Sequence, residues 1–255
     1  MPSKIGIIGF GSIGSQLFEK ITQDSDLSIA FVFDTDRNKT SALDSSLLPG
    51  SFEEIQNREV DLIVEVVSQS WVLEYASIIL SFSDLLIVSV SALAIQDLQK
   101  KLDAVARKHK TRYFISHGAI IGLDGIRDGR AMIEEVKITT TRPQAGYGLK
   151  EKLSERTILY DGPTRKACHL FPHNVNIHAS LALHGLGFDR THSTVIADPE
   201  AAIMKHCIEV KGKGLAWKIE VQGKPMGARN STYVPESVFQ TIKRICSQNY
   251  GMRFV

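Results

Sequence analysis

Lys4-Ile5-Gly6-Ile7-Ile8-Gly9-Phe10-Gly11-Ser12-Ile13-Gly14 is the stretch from which the rest of the chain is read. An apolar strand (Ile5, Ile7, Ile8) runs into Gly9, Gly11 and Gly14, and Ile13, Leu17 and Phe18 then recur at helical spacing. The pattern is strand, glycine turn, helix. In such a turn Gly9 permits the tight bend, Gly11 brings backbone without a Cβ close to a pyrophosphate, and Gly14 lets the helix pack against the strand. The helix start at Ser12 and Ile13 offers N–H groups and a positive dipole end to phosphates. Glycine loops are common, so the motif alone is weak. A second apolar run, Leu27 to Phe33, ends in Asp34, 20 residues beyond Gly14, the spacing of the carboxylate that accepts hydrogen bonds from an adenosine ribose. The two signals together predict a Rossmann domain that binds NAD. The alternative is another doubly wound fold, flavodoxin-like for example, whose glycines serve only the turn. Asp34 would repel a 2′-phosphate, but Arg37 could pair with one, so NADP stays open.

Outward from this turn, Val60 to Val67 and Leu85 to Val90 are near-continuous apolar runs, the mark of strands buried on both faces, and Tyr113 to Ile115 is a further strand. Helical periodicity lies between them at Trp71 to Ser81 and Ile95 to His109, and the polar Thr35 to Gly50 carries a short helical pattern. Ser68, Gln69 and Ser70 sit where a strand should end, and either cap the next helix or approach the cofactor. From Ser116 the chain turns to small residues, then a helix over Leu123 to Met132 and a strand over Glu135 to Thr141. Arg142 to Gly148 reads as a Pro/Gly loop and Leu149 to Pro163 as a surface connection. Asn174 and Asn176 precede an Ala/Leu-rich helix, Ala179 to Leu186, as caps or as cofactor contacts. Thr194 to Ala197, His206 to Val210 and Ala216 to Val221 predict a second, mostly antiparallel sheet, and Val234 to Ser247 a last helix.

The fold class expected is α/β: an N-terminal Rossmann doubly wound parallel sheet plus a second α+β domain. Residues 1–117 form the dinucleotide-binding domain, with the C-terminal helix in 233–255 packing back on it, and 118–232 the substrate, catalytic and dimerisation domain. A chain of 255 residues can bury the cores this requires. Its 30 basic and 28 acidic residues leave a net charge of +2, no electrostatic footprint for nucleic acid or an anionic membrane. No apolar run approaches the ~20 residues of a membrane span, and no signal peptide is evident. Cys168, Cys207 and Cys246 lack metal-ligand spacing and read as free thiols in a reducing, cytoplasmic setting. Cys207 beside His206 suggests a nucleophile, but neighbours in a strand face opposite sides.

Ser116-His117-Gly118-Ala119-Ile120-Ile121-Gly122-Leu123-Asp124 resembles the Ser-Gly-Ala-Ile-Gly-Gly-Leu-Asp segment of the L-aspartate dehydrogenase family. Thr139-Thr140-Thr141-Arg142-Pro143 is similar to that family's Thr-Thr-Arg-Lys-Pro, and Phe171-Pro172-His173-Asn174-Val175-Asn176 to its Phe-Pro-Lys-Asn-Val-Asn. Gly187-Phe188-Asp189-Arg190-Thr191 and Ala197-Asp198-Pro199 continue the match. The resemblance implies a dimeric, dihydrodipicolinate-reductase-like enzyme. It would oxidise L-aspartate, a small dicarboxylate amino acid, with NAD or NADP through iminoaspartate, which hydrolyses to oxaloacetate and ammonia or feeds NAD biosynthesis. It carries cofactor contacts onto Ala119 and Asn176 and the catalytic histidine onto His206, and it implies no metal.

Two departures stand out. Met204 replaces the Asn of the family's Asn-x-His-x-Ile, and Asn230-Ser231-Thr232-Tyr233 stands where the family has Asn-Pro-Lys-Thr-Ser. They leave open a dehydrogenase or imine reductase for another small amino or imino acid, and a non-catalytic NAD(P) sensor. Chemically, oxidising an amine requires a group that takes a proton from the ammonium, and a histidine does this near neutrality. His117, His173 and His178 flank matched motifs and rival His206.

Overall fold

Two five-stranded sheets arise from two different periodicities in the chain. The structure is a computed structural model that describes residues 1–149, 152–226 and 230–247. The first half supplies β1 (Ser3–Ile8), α1 (Ser12–Thr22), β2 (Leu27–Phe33), β3 (Leu62–Glu65), α2 (Gln69–Ile79), β4 (Asp84–Ile87), α3 (Leu98–His109) and β5 (Tyr113–Ile115). All five strands are parallel, in the order β2-β1-β3-β4-β5. Ile5, Ile7 and Ile8 of β1, Leu62, Ile63 and Val64 of β3 and Leu85, Leu86 and Ile87 of β4 are all buried. Helices on both faces explain why these strands read as unbroken apolar runs. Each such side chain contributes about 1.5–3 kcal/mol on burial. The order reverses between β1 and β3, so the ligand crevice of such a sheet opens at their C-terminal ends.

Between β2 and β3 the expected helical pattern resolves into three 3-10 turns, Arg37–Thr40, Ser45–Leu47 and Glu53–Asn57. The side chains of Asp36 and Asp44 accept from the N–H groups of Asn38 and Ser46, and these local bonds compete with a longer helix. Among the described residues no strand is added outside β2, so the sheet is one strand shorter on that side than the 3-2-1-4-5-6 order of a full dinucleotide fold.

The second half contains α4 (Leu123–Asp128), β6 (Ile133–Pro143), β7 (Thr157–Pro163), α5 (Thr164–Leu170), α6 (Asn176–His184), β8 (Thr191–Asp198), β9 (Met204–Gly212), β10 (Leu215–Gly223), the short pair β11 (Pro225–Met226) and β12 (Asn230–Ser231), and α7 (Tyr233–Cys246). Its main sheet has the order β10-β9-β6-β8-β7, parallel only between β6 and β8. Two sequence expectations need correction. Leu149 to Pro163 is not only a connection, because its second part is β7, an edge strand with a register shift between Ile158 and Tyr160. A proline and a bulge are tolerated at an edge, where strand alternation is weakest. Arg142 does not open a loop, since β6 continues through Pro143 before the 3-10 turn Gln144–Tyr147.

One buried apolar cluster runs from Ile5, Leu17 and Ile21 through Ala119, Leu123 and Ile177 to Ile208 and Val238. The two sheets therefore share a core. Against α1, α7 is held by Lys20–Glu236 and Lys243–Asp24 ion pairs, each 2.6 Å, and by Phe239 and Ile242 in that cluster. The remainder of the C-terminal segment expected in 233–255 lies outside the described residues.

Candidate active site

Three glycines at the end of β1 do different work. Gly9 has φ +98°, and a Cβ on Gly14 would stand 2.1 Å from the Gly9 carbonyl oxygen, so the turn and the close helix approach both exclude side chains. A Cβ on Gly11 would meet nothing within 4 Å. The protein's own packing does not require Gly11 to be bare, and the space over it is open. Gly11 is also the N-cap of α1, which has no acidic residue in its first turn, so the dipole end at Ser12 and Ile13 suits an anion.

Asp34 follows β2 and reaches back to this turn. It accepts from the N–H of Phe10 at 2.7 Å and of Asp36 at 2.9 Å, with Lys39 Nζ at 3.4 Å. Burial raises its pKa, but these donors and the Lys39 charge outweigh it, holding the carboxyl below its usual range. Arg37, the expected partner for a 2′-phosphate, donates instead to the carbonyls of Pro49 and Gly50 and stands over the Phe33 ring. In this arrangement Arg37 is held by the chain's own carbonyls, and Lys39 is the cation beside Asp34.

A cleft lies between the two halves of the chain. Ile13 and Val88 of the first half and Ala119, Asn176, Arg142 and His206 of the second all line it. Of the residues predicted from sequence, the cleft thus gathers Ile13, Ala119, Asn176 and His206, while Gly9, Gly11, Ser12, Gly14 and Asp34 form the adjoining turn. Asn176 Oδ1 accepts from the Ser91 N–H, which leaves its Nδ2 without a hydrogen-bond partner among the described residues. Neither Asn174 nor Asn176 caps α6, whose N-cap is Val175. Ser68 does cap α2, accepting from the Trp71 N–H.

His206 is 3% exposed, and its Nδ1 lies 3.0 Å from Thr140 Oγ1. Burial, and secondarily the Arg142 charge, push its pKa down to about 3, so the imidazole is neutral at ordinary pH. Nε2 has no hydrogen-bond partner among the described residues and is the nitrogen left for the cleft. Among the rival histidines, His173 lines the cleft, His117 is tied to the Ile120 carbonyl, and His178 is wholly buried behind His206, 2.7 Å from the same Thr140 hydroxyl. The strand reading of Cys207 agrees with its place: burial raises its pKa, and it does not line the cleft.

Arg142 was legible only as part of a motif. The structure makes it a site residue, 3% exposed, its Nη2 donating to the Asn174 carbonyl and its guanidinium over the Tyr147 ring. Both departures from the family pattern also face the cleft, as Met204 and Ser231. No group of three or more His, Cys, Asp or Glu suited to a metal occurs among the described residues.

Comparison with known proteins bears on this geometry. Residues 124–245 match the family model described as aspartate dehydrogenase, C-terminal, and residues 9–116 the NAD-binding domain of homoserine dehydrogenase. The L-aspartate dehydrogenase of Methanosarcina mazei is 34% identical over 95% of this chain and 96% of its own length. The chain belongs to the L-aspartate dehydrogenase family. An aspartate dehydrogenase domain-containing protein of Xenopus tropicalis, 32% identical, covers 91% of this chain and 86% of its own. In fold, the crystal structure of aspartate dehydrogenase from Thermotoga maritima superposes with a TM-score of 0.79 over 99% of this chain and 100% of that one, at 24% identity. In this chain the polar cleft residues Asn176 and His206 share a single cavity with Arg142.

Proposed function

We propose that this protein is an NAD(P)-dependent dehydrogenase that converts L-aspartate through iminoaspartate to oxaloacetate and ammonia, or supplies iminoaspartate to NAD biosynthesis. The observation that carries the reading is one cleft in which His206 and Arg142 face Ile13, Ala119 and Asn176, beside the glycine turn. NAD(P)⁺, when bound, supplies the hydride acceptor. Gly9, Gly11, Ser12, Ile13 and Gly14 hold its pyrophosphate, Asp34 the adenosine ribose, and Ala119 and Asn176 the nicotinamide end. Arg142 pairs with a substrate carboxylate. His206 Nε2 takes a proton from the substrate ammonium, so that the nitrogen lone pair can expel hydride from Cα. Once that proton has passed from Nε2 to solvent through the cleft, the same imidazole deprotonates the water that adds to the C=N carbon, and the imidazolium so formed returns the proton to the nitrogen, which leaves as ammonia. Burial and the Arg142 charge both weaken His206 as a base in the free protein. A bound dicarboxylate offsets the second of these.

We assign dinucleotide binding to 1–117 with α7, and substrate binding, catalysis and dimer contacts to 118–232. The protein acts in the cytoplasm as a homodimer, with neither nucleic acid nor membrane as partner. Its near-neutral charge and its free cysteines support this, and sedimentation tests the dimer. No helix among the described residues is long and apolar enough to cross a membrane.

Met204 and Ser231 in the cleft favour one second reading, a dehydrogenase or imine reductase for another small amino or imino acid. Initial rates over aspartate, glutamate, alanine and a cyclic imine separate the two, aspartate being fastest under the first. His206→Ala should lower turnover about 10²-fold or more while dinucleotide binding survives. Dinucleotide binding without turnover of any substrate would mark a sensor instead.

A further inference from the structure

Behind His206 lies a buried line of polar side chains that the reaction does not touch. Thr140 Oγ1 stands 3.0 Å from His206 Nδ1 and 2.7 Å from His178 Nε2. His178 Nδ1 is 2.9 Å from Ser193 Oγ, which is 2.7 Å from Thr164 Oγ1, which donates to the Thr191 carbonyl at 2.9 Å. The line thus crosses β9, β6, α6, β8 and α5, and Thr140, His178, Ser193 and Thr164 are all at most 1% exposed. We propose that Thr140, His178, Ser193 and Thr164 are positioning residues that lock His206 as the Nδ1–H tautomer, with the Nε2 lone pair turned to the cleft.

The assignment follows from counting protons. Five contacts run from His206 to the Thr191 carbonyl, and with both imidazoles neutral the two histidines, Thr140, Ser193 and Thr164 bring five N–H or O–H hydrogens. A carbonyl can only accept, so the Thr164 proton points to Thr191. Ser193 must then donate to Thr164, His178 Nδ1–H to Ser193, Thr140 O–H to His178 Nε2, and His206 Nδ1–H to Thr140. Any other arrangement leaves a buried contact without a hydrogen, which folded proteins avoid. Thr140 alone could not do this, because a hydroxyl both donates and accepts. The carbonyl at the far end sets the direction, and the second imidazole transmits it. The line ends at a carbonyl, so it fixes a tautomer and carries no proton away.

This inference rests on His206 acting as the base, and the two are tested apart. In the unmutated protein, ¹⁵N-imidazole NMR near pH 7.5, with the His206 signals identified by their loss in His206→Gln, should show Nδ1 protonated and Nε2 bare. Nε2–H at His206 would overturn the proposal whatever the substrate proves to be. In kinetics, Thr140→Ser should keep kcat within about two-fold, whereas Thr140→Val should lower it about 10-fold or more with the dinucleotide Kd unchanged, a part of the 10²–10⁴-fold due to a general base. Ser193→Ala, which does not line the cleft, should lower kcat in the same sense and give a detectable Nε2–H population at His206. Unchanged kcat in Thr140→Val would overturn the lock. Full activity in His206→Ala would instead overturn the base assignment and leave the tautomer measurement standing.

Discussion

Each sheet buries one polar knot, and the two are built differently. At the end of β3, Glu65 is fully buried and takes the N–H groups of Val67, Ser68, Val88 and Ser89 and the Ser89 hydroxyl. Four of these donors are backbone, belonging to the chain just beyond β3 and β4, so the carboxyl staples the two strand ends that border the cleft at Val88. Burial raises its pKa against the pull of these donors. The knot in the second sheet uses side chains almost throughout and has one open end, His206 Nε2. A closed knot of backbone donors holds shape, whereas a side-chain line with a free terminus presents a reactive atom.

The largest effect should come from breaking the closed knot. Glu65→Ala leaves several buried donors unpaired at about 1–3 kcal/mol each, so a loss of at least about 3 kcal/mol is expected in urea unfolding. A loss below 1 kcal/mol would erase the contrast.

Acid should weaken the second knot. The folded pKa of His206 is about 3, and that of His178 is also well below its ordinary value, in both cases first because of burial. Below the unfolded value near ~6.5 the unfolded chain binds more protons, so stability falls as pH drops toward the folded values, and above it these groups cost nothing. The slope is up to about 1.4 kcal/mol per pH unit for each histidine. Urea midpoints at pH 7.5 and 5 measure it, and His206→Gln should flatten it.

The smallest effect sharpens the same distinction within the glycine turn. Gly11→Ala should weaken dinucleotide binding about 10-fold, about 1.4 kcal/mol, yet leave stability within about 0.5 kcal/mol. Gly14→Ala, whose Cβ meets the Gly9 carbonyl, should lose stability too. Calorimetric titration and thermal melts separate the two variants.

What could be read in advance was local or periodic. The glycine turn, Asp34 and the parallel strands depend on residues near one another in the chain or on apolar runs long enough to register. β7 escaped notice because an edge strand with a bulge and a proline has no clean alternation. The short helical pattern after β2 came out as separate 3-10 turns because the Asp36 and Asp44 side chains redirect the backbone. His206 stood out through the family pattern, but nothing near it in sequence pointed to Thr140, His178 or Arg142. Thr140 and His206, 66 positions apart, are Cα partners across β6 and β9, a pairing set by register alone.

By itself, the sequence determined a dinucleotide turn, two sheets of different periodicity and the family to which they belong. These follow from short-range sterics and from the burial of apolar surface, which leave their period in the chain. Only the tertiary structure decided which nitrogen of His206 faces the cleft, that Arg142 shares it, and that Met204 and Ser231 line it. Those outcomes depend on strand register and on helices docking across a sheet, and a one-residue slip would turn every side chain to the opposite face.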